Sequence, residues 1–229
     1  MSIHDGHRQR MKERMLKSGM DSMCEHEILE VLLYSSIPRC DTNEHAHRLI
    51  NRFGSLLKVL NAPIEELVKV EGIGINTATY LNLLGAAHRH LCISKSSEMK
   101  TLSAPDDFYE YLKSYYVGIS NEVAYLLCLD AKLSVVGCYK VADGGVNSTD
   151  ISIRKIVQTA FAASASNIVL SHNHPGGFEL PSDADKDFTA ALYRALQAVD
   201  VSLIDHIIVN DYGYISMRKT NAINVWTEL

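Results

Sequence analysis

The chain has 229 residues, 47% apolar and 21% charged, with a net charge of −5, which places it among soluble globular proteins and excludes disordered and fibrous classes. No window reaches the roughly 18–20 continuous apolar residues that span a bilayer. The start, MSIHDGHRQRMKERM, also lacks the apolar core of a secretory signal, so a cytoplasmic protein without a membrane partner is expected. Residues 1–95 carry 12 Lys and Arg against 11 Asp and Glu, whereas residues 96–229 carry 10 against 16. The second half therefore offers no broad basic face for phosphate backbones. Five scattered cysteines without a C-x-x-C pair read as reduced thiols rather than disulfides or a zinc knuckle.

From Glu25 to about Leu91 the pattern is helical. Ile28, Leu29, Leu32 and Leu33 follow one helix face, and Ala46, Leu49, Ile50 and Phe53 do the same before a stop at Gly54, with Asn43 available as a cap. Pro63 at a helix start, the break at Gly72-Ile73-Gly74, and then Ala78, Leu81, Leu84 and Gly85 predict two short helices around a tight turn. This gives a small all-α domain over 1–95. Residues 93–103, ISKSSEMKTLS, are polar and aperiodic, and a linker is placed at 96–103.

The texture then changes, and residues 104–229 read as an α/β domain. Pro105 opens an aromatic-rich helix. Glu122–Leu129 and Leu133–Val141 read as strands joined at Asp130-Ala131-Lys132. Ile153, Ile156, Val157, Ala160 and Phe161 form a helix stripe, Asn167–Leu170 a buried strand, and Phe188 to Val199 a second stripe. Leu203–Val209 and Tyr214–Met217 close the chain as strands around the turn Asn210-Asp211-Tyr212-Gly213. No glycine-rich nucleotide fingerprint accompanies these elements.

H-x-H occurs three times. Residues two apart in a helix point about 200° away from each other, whereas in an extended segment they share a face. His45/His47 and His88/His90 lie in helical stretches and cannot readily chelate one ion. His172 and His174 instead leave a strand in extended form, with Pro175 biasing His174 away from helical dihedrals. Gly176-Gly177 lets the chain turn, and Pro181-Ser182-Asp183-Ala184-Asp185 starts a periodic helix whose dipole favours an ionised Asp185. Two imidazoles and a carboxylate leave an open coordination position, as in catalytic zinc sites. Ser182-x-x-Asp185 is equally an N-capping box, and the two roles are compatible.

His172-x-His174-Pro175, six residues, then Ser182-x-x-Asp185 resembles the JAMM motif of MPN/JAB domain metalloproteases, and HNHPGGFELPSDAD resembles the RadC (UPF0758) branch of that superfamily. Further segments resemble it in order: Asn121-Glu122 before VAYLLCLD, Ser152-Ile153-Arg154-Lys155-Ile156, LIDHII, and, earlier, HRQRMKERML, IPRCDTNEHAHRLINRFGSLLKVLNAPIEEL and VEGIGINTATYL. Two departures are Gly176 where Ser is usual and Ile153 where Pro is usual, the latter leaving the role of Arg154 undefined.

The resemblance implies a cytidine-deaminase-like α-β-α sandwich, a zinc cofactor on His172, His174 and Asp185, and catalysis by Glu122 and Ser182. Glu122, fifty residues before His172, would be the general acid/base, and Ser182 would stabilise the oxyanion. Asp205 and His206 read either as partners orienting a metal ligand or as a satisfied pair within a strand. VEGIGINTATYL resembles a helix-hairpin-helix, whose turn at Gly72 and Gly74 could present N–H groups to a DNA phosphate or simply need glycine for its dihedrals. The expected activity is a JAMM-type metallopeptidase or isopeptidase on a protein or peptide substrate, with weak DNA binding at most through the helical half, and with a homodimer left open. A metal-dependent DNA-processing nuclease and a non-catalytic DNA- or protein-binding module are the alternatives, and an iron oxygenase is a remote fourth.

Overall fold

The computed structural model describes residues 3–38, 40–143, 152–177, 180–210 and 212–223. Phe178 and Glu179 of the motif run, and Asp211 of the final turn, lie outside the described residues. The chain divides into two units, 1–90 and 91–229.

The first unit is helical: α1 (Ile3–Ser18), α2 (Glu25–Leu33), α3 (Asn43–Phe53), α4 (Leu56–Asn61), α5 (Ile64–Leu67) and α6 (Ile75–Ser96). The two expected stripes converge, because Leu29 and Leu33 of α2 pack with Ala46 and Leu49 of α3, Val59, Leu67, Ile73, Ala78 and Leu81 in one core. Each such leucine contributes about 1.5–3 kcal/mol by leaving water. The chain stops at Gly54 as expected, in the left-handed region at φ 91°.

Two expectations are revised. Asn43 does not cap α3; it is the first helical residue, and its Nδ2 donates to Glu30 Oε2 at 2.8 Å. The second helix, after the glycine break, is long, running 22 residues as α6, and it continues through Gly85, where a Cβ would stand 2.3 Å from the Leu60 carbonyl oxygen. No element was expected over α1, which presents only a short apolar pair, Met11 and Met15, to a small cluster with Met23, Ile28, Val31 and Tyr34. Its Arg8 donates to the carbonyls of Ile37 at 2.6 Å and Pro38 at 2.8 Å.

The second unit holds α7 (Pro105–Leu112), β1 (Val123–Leu129), β2 (Val135–Asp143), α8 (Ile153–Ala162), β3 (Asn167–His174), α9 (Asp183–Gln197), β4 (Ser202–Asn210) and β5 (Gly213–Ser216). The strands form one sheet in the order β2-β1-β3-β4-β5, antiparallel except where β3 runs parallel to β4. Alternation assigns the layers. Ala124, Leu126, Cys128, Ile168, Leu170 and Ile208 pack under Ile156 and Ala160 of α8 and Leu192 and Leu196 of α9. Val123, Leu127, Leu129, Val169, Ile207 and Val209 face Phe108, Tyr111 and Leu112 of α7. Helices thus cover both faces of a mixed sheet, an α-β-α sandwich.

The segment 96–103 is less of a tether than its polarity suggests. Leu102 has no solvent exposure, Thr101 bridges Ser134, and Val135 N–H donates to Lys100 O at 2.9 Å. Two apolar residues, Met99 and Leu102, are too few to show a period, yet both pack into the core beside α7 and dock the segment. None of the helices is long and apolar enough to cross a membrane among the described residues.

Candidate metal centre

β3 extends through His174, so both histidines belong to the strand itself and share its α9 face. The strand ends where β3 and its parallel neighbour β4 present their carboxyl ends, the edge at which open α/β sheets bind ligands. Gly176, at φ 84°, then turns the chain in a conformation that side chains with a Cβ rarely adopt. Ser182 caps α9 as expected: its Oγ accepts from Asp185 N–H at 3.1 Å, while Asp185 Oδ2 accepts from Ser182 N–H at 2.8 Å and Ser182 Oγ–H at 2.6 Å. The box freezes the carboxylate and leaves Oδ1 outside the cap, 3.4 Å from His172 Nε2.

The three residues converge in a buried cluster. His172 Nε2 lies 2.9 Å from His174 Nε2 and 3.4 Å from Asp185 Oδ1, and His174 Nε2 lies 3.9 Å from Asp185 Oδ2. Ligands held at about 2.0–2.2 Å by one tetrahedral ion stand roughly 3.3–3.6 Å apart, a value these separations bracket. The donor set fits a zinc-like ion on chemistry as well as spacing, because two ring nitrogens facing each other can be satisfied only by a proton or a cation between them.

Behind the cluster a relay fixes which nitrogen carries the lone pair. Thr189 Oγ1 is 2.6 Å from Asp185 O and 2.6 Å from His206 Nδ1. The carbonyl can only accept, so Thr189 donates there and accepts from His206 Nδ1–H. His206 Nε2 then accepts from His172 Nδ1–H at 2.8 Å, which leaves His172 Nε2 as a bare donor to a metal. Burial pushes His172 down to about 4, with His174 adding to the effect and Asp185 opposing it. Burial, with the two neighbouring histidines, holds His206 well below its ordinary value. Both rings are therefore neutral at pH 7, the state that ligation requires.

Of the paired candidates Asp205 and His206, the structure brings only His206 to the site. Asp205 accepts from His206 N–H at 2.7 Å, Arg218 N–H at 3.1 Å and the Ser216 hydroxyl, and so ties β4 to β5 and the turn beyond it. Neighbours in a strand point to opposite faces, which is why the pair separates; burial raises the Asp205 carboxyl. Thr189 was not singled out in the sequence, although its position four residues after Asp185, on the same helix face, was a usable signal.

Glu122 is half-buried just before β1. Ala124, two residues on, pairs with His172 at the end of the β1–β3 ladder. Gly72 and Gly74 lie in the other unit. Gly72 stands at φ 84°, a backbone conformation that residues with a Cβ rarely adopt, so the turn needs glycine for its dihedrals. Arg48 beside that turn is paired with Glu44 and Glu71. The other two H-x-H pairs do lie in helices, α3 and α6.

Residues 102–222 match the family model described as a RadC-like JAB domain, and residues 6–79 match that of the UPF0758 N-terminal region. The chain is 31% identical to a UPF0758 protein of Ruegeria pomeroyi over 93% of its own length and 95% of that protein's. It is 33% identical to a UPF0758 protein of Thermotoga maritima, over 96% of its own length and 99% of the relative's.

Proposed function

Because the chain belongs to the RadC-like JAB domain family, we propose that it is a zinc-dependent hydrolase of the JAMM type that cleaves a peptide or isopeptide bond. One observation carries the reading: two histidines and a capped aspartate bring their donor atoms together, with His172 fixed by His206 and Thr189 in the tautomer that ligates. A zinc ion held there would supply the charge that brings the pKa of water to about 7 and polarises the scissile carbonyl.

The protein's own groups do the rest. Glu122 takes a proton from the attacking water and delivers it to the leaving nitrogen as the C–N bond breaks, and the second water proton follows from the new carboxyl group, so that one water is consumed and a carboxylate and an ammonium leave. Ser182 turns its hydroxyl proton from Asp185 Oδ2 to the developing oxyanion, and Oδ2 stays held by the Ser182 N–H. The acidic balance of residues 96–229 favours amide over phosphodiester substrates.

The experiment compares wild type and Glu122→Gln on ubiquitin-like conjugates, casein-type peptides and branched or single-stranded DNA, each with and without chelator. Chelator-sensitive amide hydrolysis is expected. Glu122→Gln should retain zinc and lose roughly 100- to 10,000-fold in turnover. Loss of zinc would make Glu122 a ligand, and cleavage of DNA alone would replace the substrate class.

A further inference from the structure

We infer that Asn173, the residue between the two metal-site histidines, is a positioning residue that sets the direction of the Glu122 side chain by gripping the backbone on both sides of it. The inference rests on the reading that gives Glu122 the role of base.

In a strand the residue between His172 and His174 must face away from them, so Asn173 takes no part in the donor set. It is nonetheless buried, and a buried amide has a carbonyl and an NH2 to satisfy. Both go to the segment around Glu122: Asn173 Oδ1 accepts from Val123 N–H at 2.8 Å, and Asn173 Nδ2 donates to Asn121 O at 3.0 Å. The β1–β3 ladder ends at Ala124 and His172, so this side-chain amide replaces the backbone pairing that would otherwise continue.

The placement of the two bonds is what matters. Asn121 O belongs to the peptide plane before the Glu122 Cα, and Val123 N–H belongs to the plane after it. Holding both planes fixes φ and ψ of residue 122 together and therefore the direction of its Cα–Cβ bond. The same strand thus carries two ligands on one face and, on the other, the grip on the base. Asparagine is suited to this, having one acceptor and one donor; aspartate keeps the acceptor but sets a carboxylate oxygen against the Asn121 carbonyl, and alanine removes both bonds.

The test uses full-length wild type, Asn173→Ala, Asn173→Asp, Glu122→Gln and the double variant Asn173→Ala/Glu122→Gln. Amide exchange at Val123 is read by NMR, metal content by elemental analysis, and turnover on the amide substrate. Asn173→Ala should keep its zinc, exchange the Val123 amide at least tenfold faster, and lose about a hundredfold in kcat with little change in KM, the loss expected when a reacting group is misplaced by about 1 Å. Asn173→Asp, which keeps the acceptor, should retain most of the Val123 protection and lose less kcat. The double variant should be no slower than Glu122→Gln alone, because the clip acts only through Glu122.

Additive losses in the double variant, an unchanged Val123 exchange rate in Asn173→Ala, or loss of zinc from a folded Asn173→Ala would each overturn the inference. If Asn173→Ala fails to fold, the Asn173→Asp pair of measurements decides in its place. If Glu122→Gln is fully active, the base assignment falls, and the positioning role falls with it. If Glu122→Gln is impaired and Asn173→Ala is not, the base assignment stands and the positioning role alone is lost.

Discussion

Each unit of the molecule buries a carboxylate beside histidine, and the two clusters differ in kind. In the helical unit Glu30, almost wholly buried, accepts from the Tyr34 hydroxyl at 2.6 Å and Asn43 Nδ2 at 2.8 Å, and its Oε1 lies 2.9 Å from His7 Nε2. Donors surround an acceptor, and the cluster is complete as it stands. In the second unit ring nitrogen faces ring nitrogen at 2.9 Å with a carboxylate alongside, an arrangement rich in lone pairs. The difference teaches that residue type alone does not mark a metal site. What separates a structural knot from a ligand cage is whether donors and acceptors balance without an added cation.

The comparison can be broken by acid. His172, at about 4 in the folded protein, titrates near 6.5 when unfolded. Between those values the unfolded chain binds a proton that the folded chain refuses, so stability of the metal-free protein falls as pH drops from about 6.5 to 4. On the order of 3 kcal/mol is at stake from this ring. Urea titrations of the metal-free protein at pH 7, 5.5 and 4.5 check it, with His172→Asn as the control that should show a shallower slope. An equal slope in the two proteins would mean that His172 is not held neutral.

The helical cluster should answer to mutation instead. Glu30→Ala strands Tyr34, Asn43 and His7 without their acceptor and should cost about 2–3 kcal/mol in a denaturant titration. Zinc content should be untouched. A smaller effect is expected from Thr189→Val, which keeps the shape of the side chain and removes the hydroxyl that His206 donates to. With the relay loosened, zinc affinity measured by competition with a chromogenic chelator should weaken roughly tenfold. Unchanged affinity would show that His172 needs no tautomer control.

Much of the metal cluster was legible in the sequence, for a physical reason. His172 and His174 obey the two-residue period of a strand, and Ser182 and Asp185 obey the spacing of a cap; both are local rules. Glu122 is legible only through family resemblance, because its place beside the end of β3 depends on contacts made by its neighbours across some fifty residues. His206 and Asp205 could not be told apart in advance. A register irregularity between Ile168 and Val169 sets which β4 residue stands beside which β3 residue, and the sequence carries no sign of it. Asn173 was passed over for a related reason: it acts on backbone groups, which leave no side-chain pattern. Helix α1 shows little in the sequence because its apolar face is only Met11 and Met15, with Arg8 adding polar anchors to the Ile37 and Pro38 carbonyls.

The central claim is that His172, His174 and Asp185 form one metal site on a fold that does not depend on the metal. Zinc content by elemental analysis, taken with circular dichroism on wild type, His172→Ala and Asp185→Ala, tests it most directly. One equivalent in the wild type, near none in either variant and unchanged helix and strand signals are predicted, since an open three-ligand site on a preformed sheet edge contributes less to folding than a closed structural one. Full zinc occupancy in both variants, or no zinc in the wild type at pH 7, would contradict the account.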